Sequence, residues 1–213
     1  MSKQTTDIIF ILDRSGSMSG LESDTIGGYN SYLEKQRKLE GEAFVTTVLF
    51  DDRYKMLHRR IDIKEIQDLT SEDYFVRGST ALLDAIGNTI DQFKLLQSEK
   101  NKTLMVIITD GLENASREFT YKRVKQLIDQ QQENQGWEFI FLGANIDAVK
   151  EGERFGISED RSVSYHADSQ GTALNFACVT EATISYRSTG DIPKRWKQKI
   201  EEDLSGRENG TKK

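Results

Sequence analysis

Five apolar residues in a row, Ile8, Ile9, Phe10, Ile11 and Leu12, run directly into Asp13. No other feature constrains the fold as much. An apolar run without alternation predicts a strand buried on both faces, the kind found inside mostly parallel sheets covered by helices. Asp13 then falls at the carboxyl end of that strand, where open α/β sheets build their sites. Ser15, Gly16, Ser17, Ser19 and Gly20 follow as a small polar loop ahead of a helical pattern. Asp13, Ser15 and Ser17 thus offer one carboxylate and two hydroxyls in one turn of chain. These hard oxygen groups suit Mg²⁺ or Mn²⁺ better than a soft metal.

Downstream, strand and helix signals alternate. Spacing predicts an amphipathic helix over 21–39, a β-branched strand over 44–50 and, after the Asp51-Asp52 turn, a short returning edge strand over 54–60. Residues 61–76 read as an unresolved polar connection. Gly78, Ser79 and Thr80 form a breaker with capping residues. A helical stripe of Leu82, Leu83, Ile86, Ile90, Phe93 and Leu96 follows it. Strands are expected at 104–108, 139–142 and 163–165. Helices are expected around Phe119 to Ile128, over 145–155 and over 171–186. The pattern predicts an α/β fold: a doubly wound, mostly parallel sheet with an early hairpin and helices on both faces. The main domain is expected over 1–190. The charged tail, 191–213, is expected to carry a short helix through Trp196, Ile200 and Leu204 and to fray from Gly206.

Three separated pieces share one chemistry. Asp13 closes the first strand, Asp110 closes the 104–108 strand, and Thr80 lies in the Gly-Ser-Thr loop. In a doubly wound sheet the first strand neighbours the strand at which winding reverses, so Asp13 and Asp110 meet across that crevice. Two close carboxylates repel unless a proton or cation intervenes. A divalent ion resolves this, with Ser15, Ser17 and Thr80 as neutral donors. Mg²⁺ takes six oxygens in near-octahedral order and keeps several waters, so five side chains leave a position for an outside group.

On these residues the chain resembles the von Willebrand factor type A domains with their metal-ion-dependent adhesion site. DRSGSM matches the Asp-x-Ser-x-Ser element through Asp13, Ser15 and Ser17, GSTAL matches the threonine element through Thr80, and ITDG matches the second aspartate through Asp110. The resemblance implies a Rossmann-like, six-stranded sheet in the order 3-2-1-4-5-6, with the third strand antiparallel. It implies that the serines, and in one state the threonine, bind metal directly, while the aspartates act partly through water. The cation would then take a Glu or Asp carboxylate from a partner protein, in recognition without turnover. The likeness is to stand-alone bacterial or phage members, whose partners are generally intracellular proteins.

A net charge of −6 argues against nucleic acid or anionic lipid as partner. The lone Cys178 excludes an intrachain disulfide, and residues 8–12 are too short for a signal peptide or a membrane span. A cytoplasmic monomer is expected. The enzymatic alternative is a Mg²⁺-dependent phosphoryl-transfer hydrolase of the haloacid-dehalogenase type, which also places an aspartate after its first strand. That chemistry needs a second acid two residues on, where this chain has Ser15. A serine hydrolase would need a base, and His58 and His166 both fall away from the expected crevice. No G-x-G-x-x-G follows the first strand, which excludes the dinucleotide fingerprint. Asp51 and Asp52 read as a turn and Cys178 as core, and Glu113 and Asn114 as borders of the ligand surface.

Overall fold

The computed structural model describes residues 5–94 and 101–210. Its centre is a six-stranded sheet in the order β3-β2-β1-β4-β5-β6. Strand β1 (Thr6–Asp13) pairs in parallel with β2 (Ala43–Phe50) on one side and β4 (Lys102–Thr109) on the other. Strand β3 (Tyr54–Asp62) returns antiparallel to β2 at one edge. Strands β5 (Glu138–Ala144) and β6 (Ser162–Tyr165) extend the parallel array to the other. The order and the single antiparallel strand agree with the expectation.

Successive residues of β1 feed opposite cores, which is why the run is apolar throughout. Ile8, Phe10 and Leu12 join a cluster under α1 (Glu22–Arg37) and α5 (Ser169–Thr189). Ile9 and Ile11 join a second cluster under α2 (Leu82–Phe93), α3 (Tyr121–Gln135) and α4 (Ala148–Phe155). Phe10 meets Tyr29 and Tyr32 edge-on, with ring centroids 5.3 and 4.8 Å apart, and so seats α1 on the sheet. Glu22 and Asp24 in the first turn of α1, and Lys35 and Arg37 in its last, complement the helix dipole.

Several boundaries differ from expectation for local reasons. Helix α4 starts at Ala148 rather than Asn145. Asn145 is left-handed (φ 55°), and the Asp147 side chain accepts the Lys150 N–H to cap the helix. Thr120 likewise caps α3, leaving Phe119 outside it. Of the expected 61–76 connection, Ile61 and Asp62 complete β3 and residues 63–76 have neither helix nor strand, yet Ile63, Ile66, Leu69 and Tyr74 are buried in the core. Leu96, the last member of the helical stripe expected after Thr80, lies outside the described residues. Helix α6 (Gln198–Gly210) continues into the segment expected to fray, of which 211–213 lie outside the described residues, and Trp196 and Ile200 are buried. It packs along β6, where Lys197 Nζ donates to the carbonyls of Glu159 and Ser162 and so occupies backbone acceptors at an open edge. Among the described residues, no helix is long and apolar enough to cross a membrane.

Helices α1 and α5 approach closely at Gly28, where an added Cβ would lie 2.2 Å from the buried Phe176 ring. Gly27, one residue earlier, has nothing within 4 Å. Gly28→Ala is therefore expected to lower stability by about 1–3 kcal/mol in chemical denaturation. Gly27→Ala is expected to raise it by roughly 0.5–1 kcal/mol through helix propensity. Equal effects of the two would contradict this packing.

Candidate metal centre

Reversal of winding at β1 brings the ends of β1 and β4 side by side, and with them Asp13 and Asp110. All five residues singled out in the sequence converge there. Thr80 Oγ1 donates to Ser15 Oγ (3.0 Å), the Ser15 and Ser17 hydroxyls lie 3.1 Å apart, and Ser17 Oγ donates to Asp110 Oδ1 (2.5 Å). Because the Ser17 proton is committed to Asp110, Ser15 is the donor to Ser17. The protons therefore run one way, from Thr80 to Asp110, and each hydroxyl oxygen keeps a lone pair. Asp13, Ser15, Thr80 and Asp110 are buried, whereas Ser17 is exposed and marks the mouth.

Thr80 is not the helix cap that its position suggests. Ala81, whose methyl accepts no hydrogen bond, occupies the N-cap of α2, and the Thr80 hydroxyl is turned to Ser15. Glu113 and Asn114, expected at a ligand border, fasten the loop. The Glu113 carboxylate accepts from the backbone N–H groups of Leu83, Ala115 and Ser116, and Asn114 Oδ1 accepts the Thr80 N–H.

Asp13 is held at both oxygens. Oδ1 accepts the Ser15 N–H (2.7 Å) and Oδ2 the Thr109 hydroxyl (2.5 Å), while Tyr74 donates its hydroxyl to the Asp13 carbonyl (2.5 Å). Burial pushes the Asp13 carboxyl up to about 6, against the hydrogen bonds from Thr109 and Ser15, and the nearby Asp110 adds to the rise. Burial also raises Asp110, opposed by the Ser17 hydrogen bond. Asp110 Oδ2 is buried with no hydrogen-bond partner. Unmet lone pairs on a carboxylate and three hydroxyls, facing one another, lack an electropositive group. A hard divalent cation fits that donor set. Gly111 keeps the space open, since a Cβ there would lie 3.2 Å from Ser17 Oγ and 3.4 Å from Thr80 Oγ1. Among the described residues no three His, Cys, Asp or Glu side chains gather into a metal site, so this mixed cluster is the candidate.

A second layer, which the sequence reading assigns to a turn, locks the loops together. Asp51, fully buried at the end of β2, accepts from Arg77 Nε (2.8 Å) and the Arg53 N–H (2.8 Å). Arg14 Nε lies 2.8 Å from the same carboxylate, an ion pair without hydrogen-bond alignment. Burial pushes Asp51 up, but Arg77, Asp52 and Arg14 outweigh it and hold the carboxyl below the usual range. The Arg77 N–H donates to the Arg14 carbonyl and the Gly16 N–H to that of Gly78, so the Asp13 and Thr80 loops are tied along their backbones. The signal in the sequence is a charged residue directly after Asp13 and an aspartate pair at the end of the neighbouring strand. His58, on the edge strand β3, bonds the Thr47 hydroxyl of β2, and His166 follows β6.

Comparison with solved structures identifies the architecture. The von Willebrand factor type A protein from Catenulispora acidiphila superposes with a TM-score of 0.59 at 14% identity, over 85% of this chain and 43% of that one. This chain has the von Willebrand factor type A fold. The fold recurs in manganese-loaded TRAP protein from Plasmodium vivax (TM-score 0.57, 15% identity, 82% of this chain and 73% of that one). It recurs also in proximal thread matrix protein 1 from the mussel byssus with a zinc-occupied MIDAS motif (TM-score 0.61, 15% identity, 85% and 46%). The chain spans less than half the length of the Catenulispora and mussel proteins. No protein-family model matches the sequence, and no curated protein matches it.

Two outcomes test the site as built. Asp51→Ala leaves the buried Arg14 uncompensated and is expected to cost about 3–5 kcal/mol in denaturant unfolding. The raised Asp13 means that the ion-free fold binds its proton more tightly than the unfolded chain, whose value is 3.8. That stability is complete below about pH 4 and is lost as pH rises through about 6. In chelator, the stability of wild type relative to Asp13→Asn should therefore fall across this window by on the order of 3 kcal/mol. A pH-independent difference would contradict it.

Proposed function

We propose that this chain is a divalent-cation-dependent protein-binding module, with Asp13, Ser15, Ser17, Thr80 and Asp110 as the residues that hold Mg²⁺ or Mn²⁺. The observation that carries the reading is the unpartnered Asp110 Oδ2 beside a one-way relay of hydroxyls, each of which keeps an unused lone pair. Ser15, Ser17 and Thr80 supply neutral oxygens, and the two aspartates supply the charge. Asp13, already bonded at both oxygens, acts from behind by orienting the Ser15 N–H and tying in Thr109. A bound dication would supply a Lewis-acidic position open to a Glu or Asp carboxylate of a partner protein. The zinc and manganese named for the neighbouring structures support a divalent ion at such a site.

The reading is of a binder and not an enzyme. The position two residues after Asp13 is Ser15, whose hydroxyl is engaged by Thr80, so the leaving-group acid of the phosphoryl-transfer alternative has no counterpart. A bacterial or phage module acting as a cytoplasmic monomer is the setting we favour, with the lone thiol Cys178 kept in the core.

Calorimetry with Mn²⁺ and Mg²⁺ should show one site on the wild type. Asp13→Ala and Ser15→Ala should each weaken it by more than about 100-fold, since even losses behind a metal site cost 10–100-fold. Saturating metal should raise the thermal midpoint of the wild type and leave Asp13→Ala unmoved. Unchanged affinity in both variants, or metal-dependent turnover of an aryl phosphate, would contradict the proposal.

A further inference from the structure

Among the described residues the exposed large hydrophobics are Phe75 (44%) and Leu112 (56%). A single exposed apolar side chain is ordinary on a protein surface. These two, however, each lie in a loop that adjoins the oxygen cluster, Phe75 next to Tyr74 and Leu112 two residues after Asp110. Phe75 belongs to the β2 side. It follows the buried Tyr74, whose hydroxyl is bonded to the Asp13 carbonyl, and its ring lies 5.3 Å from the Arg14 guanidinium carbon and 5.7 Å from that of Arg77. Leu112 belongs to the β4 side. It sits between Gly111, which borders the Ser17 and Thr80 hydroxyls, and Glu113, which is clamped to the start of α2. The exposed Ser17 follows β1, the strand that pairs between β2 and β4.

We propose that Phe75 and Leu112 form an apolar rim that selects, among protein carboxylates, a Glu or Asp flanked on its own segment by apolar side chains. This rests on the metal-binding reading above. Both rim residues are set by anchored neighbours, so little ordering is needed when they are covered. A ring braced by two guanidiniums and a leucine around a charged centre has the composition of an interface core: apolar contact that excludes water around one strong polar interaction. A cation with an open position attracts any carboxylate, including acetate. The rim adds affinity only where apolar groups accompany the acid, and that difference is specificity.

The test uses the full chain in saturating Mn²⁺, with two fluorescein-labelled, capped five-residue peptides. Both carry a central glutamate, one flanked by glycines and the other by leucine and phenylalanine at its ends. The wild type should bind the apolar-flanked peptide about tenfold or more tightly over the glycine-flanked one, and the corresponding glutamine peptides should not bind. Phe75→Ser combined with Leu112→Ser should abolish the preference while leaving Mn²⁺ affinity by calorimetry, and affinity for the glycine-flanked peptide, unchanged. Equal affinity of the two peptides for wild type overturns the rim. So does a preference that survives in the double variant, or a Mn²⁺-dependent dimer of the wild type in sedimentation that the double variant abolishes. Absence of Mn²⁺ binding in the wild type overturns instead the metal reading, and the rim with it. The calorimetry separates the two failures.

Discussion

Two carboxylates at the ends of adjacent parallel strands, both out of water, set the terms for everything around them. Asp13 and Asp110 are placed by the pairing of β1 with β4, which the buried, two-faced character of β1 enforces. Neither can be moved far without slipping a register on which both cores depend. Their mutual repulsion and desolvation are met by directed hydrogen bonds from Ser17, Thr109 and the Ser15 N–H. Those bonds only partly offset the cost, as the raised Asp13 shows. An arrangement that keeps two desolvated acids together is poised for a cation.

The loops make this arrangement rigid. Arg14 follows Asp13 directly and is buried against Asp51 at the end of the neighbouring strand, and Arg77 reaches the same carboxylate from the Thr80 loop. One buried acid therefore joins three segments that are far apart in the chain. Backbone bonds between Arg77 and Arg14, and between Gly78 and Gly16, repeat the connection. The hydroxyls of Ser15 and Thr80 consequently meet without either side chain having to be ordered on binding, which is the condition for a site with strong preference.

Much of this was legible in the sequence because it rests on contiguous signals. The unbroken apolar run marked β1, and short polar motifs at the ends of the predicted elements marked Asp13, Ser15, Ser17, Thr80 and Asp110. What was not legible depends on contacts between distant positions. The Arg14, Asp51 and Arg77 cluster has no period and no motif, and Asp51-Asp52 alone reads as a turn. Thr109 and Tyr74, which fix Asp13, look like an ordinary strand residue and an ordinary loop aromatic. The burial of Ile66, Leu69 and Tyr74 follows neither a helical nor a strand spacing, so the 61–76 connection gave no signal of its place in the core. Thr80 could be assigned as a cap or as a ligand on sequence alone, and its bond to Ser15 excludes the cap.

The central claim is that these five side chains enclose one hard cation. An anomalous difference map from a crystal soaked in Mn²⁺ tests it most directly. A single strong peak is expected in contact with the Ser15 and Ser17 hydroxyl oxygens, between Asp13 and Asp110. A map with no peak there, or with manganese bound only elsewhere on the molecule, would contradict it.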